Sequence, residues 1–286
     1  VKNNLFTGIV FCVFSLAGYA QEPAENLGSD RPGATFSANT VGQWVLQVQS
    51  GVDYTHLNFD PIKERNENNQ PINISRIDEI MSTATDVRFG FYKTFEVGFS
   101  LLTTSMRTRV KDESGSIPAY RINQDPSYDL MPSLRANAIS TERFQLGLMV
   151  SYLFLELNPD VFISRVMGAY SFNEKTGLSA NLSHENQIST SGQDVYGYTL
   201  NLGHSFNKLT FFVENYGGLA IFNDQVNGQN RFSHFFNLGA YYLITPNIQL
   251  DCTVNLGDNG QILFTNLVGV QQTGASLGLT WRFFAN

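Results

Sequence analysis

TGASLGLTWRFF, residues 273–284, alternates without a slip. In an extended strand successive side chains point to opposite faces, so Ala275, Leu277, Leu279, Trp281 and Phe283 share one face and Ser276, Gly278, Thr280 and Arg282 the other. As a sheet edge, a strand this long and this apolar on one side would expose a row of unpaired backbone groups. Pairing it with the first strand closes the sheet, and the apolar face, turned outward, then meets lipid.

The same period recurs upstream. Gln43–Leu57 places Trp44, Leu46, Val48, Val52 and Tyr54 on one face. Thr85–Phe91 and Phe95–Leu101 read as a hairpin across a three-residue turn, Tyr92–Thr94, that matches Phe91 to Phe95. The strongest alternating face is Phe144, Leu146, Leu148, Val150, Tyr152 and Phe154, and comparable faces begin near Asp160, Leu178, Tyr196, Leu209, Phe236 and Ile248. Pro132 interrupts Tyr128–Ile139, so either a bulge falls there or the strand proper begins after it. The polar stretches from Leu57 to Asn73 and from Lys111 to Gln124 read as loops.

These segments predict an all-β chain forming a closed antiparallel transmembrane β-barrel of about 12 strands. Short turns alternate with mostly longer, polar links, which places the short turns and both ends of the barrel on one side, expected to be periplasmic. Trp44 and Trp281 then share the aromatic girdle of that rim. A soluble β-sandwich also alternates its faces, but its strands are usually about five or six residues long, shorter than these.

Lys2, the apolar run Leu5–Leu16 and the small-residue site Gly18–Ala20 predict an export signal over residues 1–20. Residues 21–42 lack a strand period and read as a lead-in segment, at the periplasmic mouth or folded into the lumen as a plug. The barrel is expected over 43–286.

Only 15% of the chain is charged, and the formal net charge is −7. Lys and Arg are scattered singly, which excludes a nucleic-acid surface built on basic clusters with interleaved aromatics. Beyond the predicted leader Cys252 stands alone, so neither a disulfide framework nor a thiolate metal site is expected. No His or Cys cluster has ligand spacing, and no cofactor motif is present.

Some barrels of this size are phospholipases, so serine–histidine pairs need a test of parity. His184, His204 and His234 each adjoin a serine, Ser183, Ser205 and Ser233, and adjacent residues point to opposite sides of the wall. His56 has no serine at the right spacing. The expectation is a protein that is not an enzyme, with no catalytic residues. The polar faces carry Asp53, Asp86, Arg88, Glu96, Arg135, Glu214, Asp251 and Arg282, all expected to line the lumen. Arg88 lies diagonal to Glu96 within reach of an ion pair. Such charges can form a path for a solute or a fixed network that fills the barrel.

Six stretches carry a family resemblance: SDRPG (29–33), GQWVLQVQSGVDY (42–54), DVRFGFYKTFEVG (86–98), FVENYGG (212–218), ITPNIQLDCTVNLG (244–257) and SLGLTWRF (276–283). In that order they resemble a family of outer-membrane transporters named for the meta-pathway of phenol degradation. The family pattern often has Glu where this chain has Gln49. The resemblance implies a barrel in the cell outer membrane that passes small solutes, hydrophobic or aromatic ones among them. Its expected partners are outer-membrane lipid, the solute, and the barrel-assembly machinery that reads a C-terminal aromatic strand. The alternative is a structural or surface-interaction barrel with a blocked lumen.

Overall fold

The computed structural model describes residues 29–30, 33–65, 71–112, 119–156, 160–188, 193–222, 231–258 and 270–284. The predicted leader, residues 21–28 of the lead-in, and Arg31 and Pro32 of the SDRPG stretch lie outside them. So do the centres of several long links, including Asn259 and Gly260.

Thirteen strands form one antiparallel sheet: β1 (Val45–Arg65), β2 (Pro71–Tyr92), β3 (Phe95–Asp112), β4 (Tyr120–Asn123), β5 (Ser127–Ser140), β6 (Phe144–Leu153), β7 (Val161–Ser171), β8 (Thr176–Gln187), β9 (Gln193–Phe206), β10 (Leu209–Phe222), β11 (Arg231–Thr245), β12 (Ile248–Asp258) and β13 (Val270–Phe284). β13 pairs with β1 from Val45↔Phe284 to Phe59↔Val270, and the ring closes. Twelve strands make the wall. β4 adds a short rung against the distal part of β3, above the place where β5 takes over the pairing.

Closure satisfies every edge that an open sheet would leave bare, and the pleat then sorts side chains between two very different surroundings. Val52, Phe99, Leu148, Leu202, Leu238 and Leu277 are exposed on the outer wall. The fully buried side chains are mostly polar: Gln47, Gln49, Asp78, Glu96, Glu214 and Thr280, with Met167 the apolar exception. An exposed apolar belt around a polar interior is the inverse of a soluble domain and fits a wall solvated by lipid.

Four expectations are corrected. The stretch from Lys111 to Gln124, expected as a loop, contains the last residues of β3 and the strand β4, which turns back to pair with β3. The stretch from Leu57 to Asn73 is largely strand: β1 and β2 continue past an irregularity between Phe59 and Ile62 to Arg65↔Pro71. Polar side chains do not end a ladder while the facing strand supplies backbone partners: β13 pairs with β1 as far as Phe59, and beyond it β1 and β2 pair with each other. The β2–β3 turn pairs Tyr92, not Phe91, with Phe95, leaving an irregularity at Phe91.

Pro132 sits inside β5, opposite Phe99 of β3. Leu130 exchanges backbone bonds with Phe154 on the β6 side, so the missing amide of Pro132, two residues on, falls on that side too. Regular β5–β6 pairing starts just beyond it, at Ser133↔Ser151. The proline therefore occupies a lapse in the ladder, and the bulge on that side lies further on, between Asn137 and Ile139.

Candidate functional site in the barrel lumen

The lumen holds a stretch of the chain itself. Residues 29–30 and 33–42 lack strand structure and lie within the ring of strands, bonded to opposite sides of it. Two carboxylates anchor them in opposite senses, one belonging to the segment and one to the wall.

The first anchor is Asp30. Its carboxylate receives both terminal nitrogens of Arg135, Nη2 on Oδ2 at 2.6 Å and Nη1 on Oδ1 at 3.1 Å, while Nη1 of Arg88 stands 3.4 Å from Oδ2. Ser37 donates its backbone N–H to Oδ1 at 2.8 Å, which folds the segment around the charge. Burial pushes the Asp30 carboxyl up, but the Arg135 and Arg88 guanidinium groups outweigh it and hold the group below the ordinary aspartate value.

Glu96 balances the same arginines from the wall. Arg88 donates to it from Nε at 2.7 Å and from Nη2 at 2.9 Å, the fork geometry expected of a planar guanidinium on a carboxylate. Nε of Arg135 lies 3.3 Å from the same carboxylate. Two cations and two anions thus form one buried, locally neutral network. The spare donors go to the segment: Arg88 to the Asn39 carbonyl at 3.0 Å and Arg135 to the Ser37 carbonyl at 3.1 Å. Glu96 also accepts the backbone N–H of Val41 at 2.7 Å.

The second anchor is Glu214 on β10. Its buried carboxylate accepts the backbone N–H groups of Ala34 and Thr35, each at 2.8 Å, the Thr35 hydroxyl at 2.5 Å and Nδ2 of Asn237 at 2.7 Å. Successive N–H groups around an anion form a backbone nest. Gly33 makes this approach possible, because its φ of 102° lies in the left-handed region.

Between the anchors the segment is packed against the wall. The Arg165 guanidinium lies 3.8 Å over the Phe36 ring, a cation–π contact. Ala38, Met149 and Met167 form a small apolar cluster against which Phe36 rests. With the Asn181 amide turned to suit its neighbours, it accepts from the Phe36 N–H at 2.6 Å and donates to the Phe36 carbonyl at 3.2 Å. Ser29 reaches the closing strand, 2.9 Å from the Thr280 hydroxyl, and accepts from Gln49 at 3.2 Å. Where the segment leaves the lumen, Gly90 gives it room: a Cβ there would overlap the Gly42 carbonyl.

Of the eight predicted lumen residues, Arg88, Glu96 and Arg135 meet in the first anchor and Glu214 forms the second. Arg282 is buried beside β1 and donates from Nε to Gln47 at 3.1 Å. Asp53 and Asp251 occupy inner positions of β1 and β12, opposite Ser276 and Gly278, and Asp86 occupies an inner position of β2 opposite Gln49, two residues before Arg88, close enough to add to the charge that the first anchor's guanidinium feels. Sequence reasoning did not count Asp30, Arg165, Gln49 and Asn181 among the lumen candidates, and named Gln49 only as the position where the family pattern often has Glu. The last three sit at inner positions of their strands and could have been found by parity. Asp30 lies in a segment without a period and gave no such signal.

The four histidines all stand on outward positions. His184 stacks on Tyr196 at 4.9 Å, His204 meets Phe206 edge-on at 4.5 Å, and His234 lies between Phe232 and Phe236. His56 follows Tyr54 on the outer face of β1. Among the described residues no group of His, Cys, Asp and Glu is placed to hold a metal ion.

Solved structures share this architecture. An outer membrane channel from Pseudomonas putida F1, described as COG4313, aligns with a TM-score of 0.58 at 12% identity, over 88% of this chain and 99% of its own. The NanC porin aligns at 0.51 and 10% identity, over 82% of this chain and 98% of its own. The Pseudomonas putida toluene transporter TodX aligns at 0.50 and 10% identity, over 84% and 90%. At these identities the likeness establishes the fold, a closed barrel of the outer-membrane type. No curated protein sequence matches the chain. A family model does match, over residues 117–265, just over half of the 286 residues, and by that match the chain belongs to the family described as "Putative MetA-pathway of phenol degradation".

Proposed function

We propose that this protein is an outer-membrane channel for small solutes whose bore is set by its own N-terminal segment, acting as a plug. The observation that carries the reading is the double anchorage: Asp30 on the Arg88–Arg135–Glu96 network and Glu214 in the Gly33–Thr35 nest. A segment fixed at both sides of the ring narrows the lumen near the short-turn end, which this reading places in the periplasm. The similar solved structures include a toluene transporter and a porin, which supports a small solute, a monoaromatic one among the candidates. Inward residues of the distal lumen mix apolar and polar groups suited to an amphipathic aromatic solute: Leu102, Met131, Leu153 and Ile163 occupy inner positions of β3, β5, β6 and β7, with Asp129 opposite Leu102 and Glu185 opposite Ile163.

No hydrolytic role is assigned. His184, His204 and His234 face outward against aromatic rings, with His204 Nδ1 2.8 Å from the Thr176 hydroxyl and His184 Nε2 3.3 Å from Asp194, and Ser205 pairs with Thr210 at 2.8 Å rather than with an imidazole. Lipid would surround the apolar belt, and the assembly machinery would read the β13 strand.

The anchorage also favours a second reading, a structural barrel kept closed by its segment. Reconstitution separates the two. Conductance and swelling of proteoliposomes by small solutes, enlarged when residues 29–42 are deleted, supports the channel. A folded barrel that passes nothing, with or without the segment, leaves the structural reading.

A further inference from the structure

We propose that the outer face of β3 and β4, at the long-link end of the barrel, is a binding site for the phosphate-bearing headgroup of a lipid of the surrounding leaflet. The proposal rests on the reading of the wall as membrane-embedded with its long links facing outside. It concerns the outer surface, and uses neither the lumen nor the segment within it.

The wall there changes character abruptly. The outer face of β3 is apolar through Phe95, Val97, Phe99 and Leu101, all exposed. It then passes through Thr103 and Ser105 to Arg107, Arg109 and Lys111, alternate residues that therefore share the outward side. Cross-strand pairing extends the basic face sideways: Arg109 lies opposite Arg121 of β4, and Arg107 opposite both Glu79 of β2 and Asn123 of β4. One outward step below runs the row Tyr54, Met81 and Ser105, whose Tyr54 and Met81 are among the exposed apolar side chains of the wall. The basic residues thus begin where the apolar surface ends, at the depth where a headgroup meets its acyl chains.

The charges are mostly unspent. Glu79 accepts Nη2 of Arg109 at 2.9 Å and stands 3.8 Å from Arg107, which offsets one cation of the four. The Arg107 side chain remains 53% exposed and that of Arg109 41%, so both can still reach a ligand. This accumulation occurs in a chain of formal charge −7, whose long-range field repels anions, so any attraction must be local. Beside it a cleft of about 320 Å³ is lined by Tyr54, Met81, Ser105, Arg107 and Asn123 among others. A cleft with apolar residues on its membrane side and guanidinium groups on its outer side matches an amphiphile carrying phosphate, since guanidinium forks pair with phosphate oxygens in two-point fashion.

Binding of a diphosphoryl glycolipid to the folded, detergent-solubilised barrel, followed by native mass spectrometry, tests the site. One basic residue near an anionic headgroup contributes about 1 kcal/mol, or about fivefold in affinity. The double variant Arg109→Gln/Arg121→Gln is therefore expected to bind about 25-fold more weakly. Arg143→Gln, in an exposed turn at the opposite end, should bind as the parent does. Removing the phosphates from the glycolipid should cost at least as much as the double variant. Equal binding by the double variant, or by the dephosphorylated lipid, would overturn the proposal. Displacement by inorganic phosphate at matching concentration would overturn the lipid assignment and leave a free-phosphate site. The heat-dependent mobility shift of each variant is recorded in parallel. A parent protein without that shift would refute the barrel reading itself, which distinguishes that failure from the loss of one site.

Discussion

The Cβ that Gly33 lacks would stand 2.7 Å from Oε2 of Glu214, although nine strands, β1 to β9, separate the two residues in the chain before β10 is reached. The backbone nest and the wall carboxylate are in contact closer than any side chain permits. The first prediction follows from this pair. Gly33→Ala adds a methyl group against a carboxylate oxygen and places a Cβ on a residue at φ 102°. The left-handed backbone alone costs about 1–2 kcal/mol. The expected outcome is a loosened segment in an intact barrel, measured as higher single-channel conductance with an unchanged heat-modifiability shift. Unchanged conductance would count against the segment as the element that sets the bore.

Glu214→Gln removes one of the acceptor oxygens from a nest of donors and turns an NH₂ group toward N–H groups. A buried group left without its partner costs about 1–3 kcal/mol, more where charge is involved. Limited proteolysis of the folded barrel should then cleave within residues 33–42 faster than in the parent, while the strands stay protected.

Acid should release the other anchor. The folded-state value of Asp30 lies below that of the free side chain, about 3.9. The unfolded segment therefore binds protons first, and the stabilisation is fully present above that value and is lost as pH falls through the folded one. Conductance of the parent should rise below about pH 4. Asp30→Asn should have lost the ionic anchor at every pH and show that part of the dependence no longer. A pH profile identical in the two proteins would falsify the assignment.

Arg135→Met leaves Asp30 and Glu96 with one guanidinium between them. Breaking a buried ion network by removing a single partner is strongly destabilising, by about 3–5 kcal/mol, because a charge is left uncompensated. The variant should yield less folded barrel than the double variant Arg135→Met/Asp30→Asn, which restores the charge balance. The ratio of heat-modifiable to unfolded protein reads this directly.

Phe283 stacks on Trp281 at 4.5 Å, at the end of the closing strand. Replacing Phe283 and Phe284 with Ser should reduce the amount of barrel in the membrane more than transport by the barrels that do form. Membrane levels equal to the parent would remove the case for this strand as an assembly signal.

The wall was legible because one rule governs every strand. Side chains alternate between lipid and lumen, so apolar and polar positions in β6, β9 and β12 sort themselves without knowledge of their neighbours. The Arg88–Glu96 pair was legible for the same reason, since a hairpin register fixes which diagonals meet. The long β1–β2 hairpin was hidden where polar residues replaced the pattern, and only the pairing of the two strands with each other shows that they continue.

The sequence by itself determined the closed barrel, its apolar belt and the inner position of each candidate charge, because those follow from the period of an extended chain in two solvents. Tertiary structure alone decided what the charges do. Residues 29–30 and 33–42 have no period, and their polar groups could be satisfied by many of the inner side chains. Only the folded ring brings Arg135 to Asp30 and Glu214 to the backbone of Ala34 and Thr35. Within that enclosed lumen an unmet donor or acceptor is costly, so a stretch without pattern is held in one place.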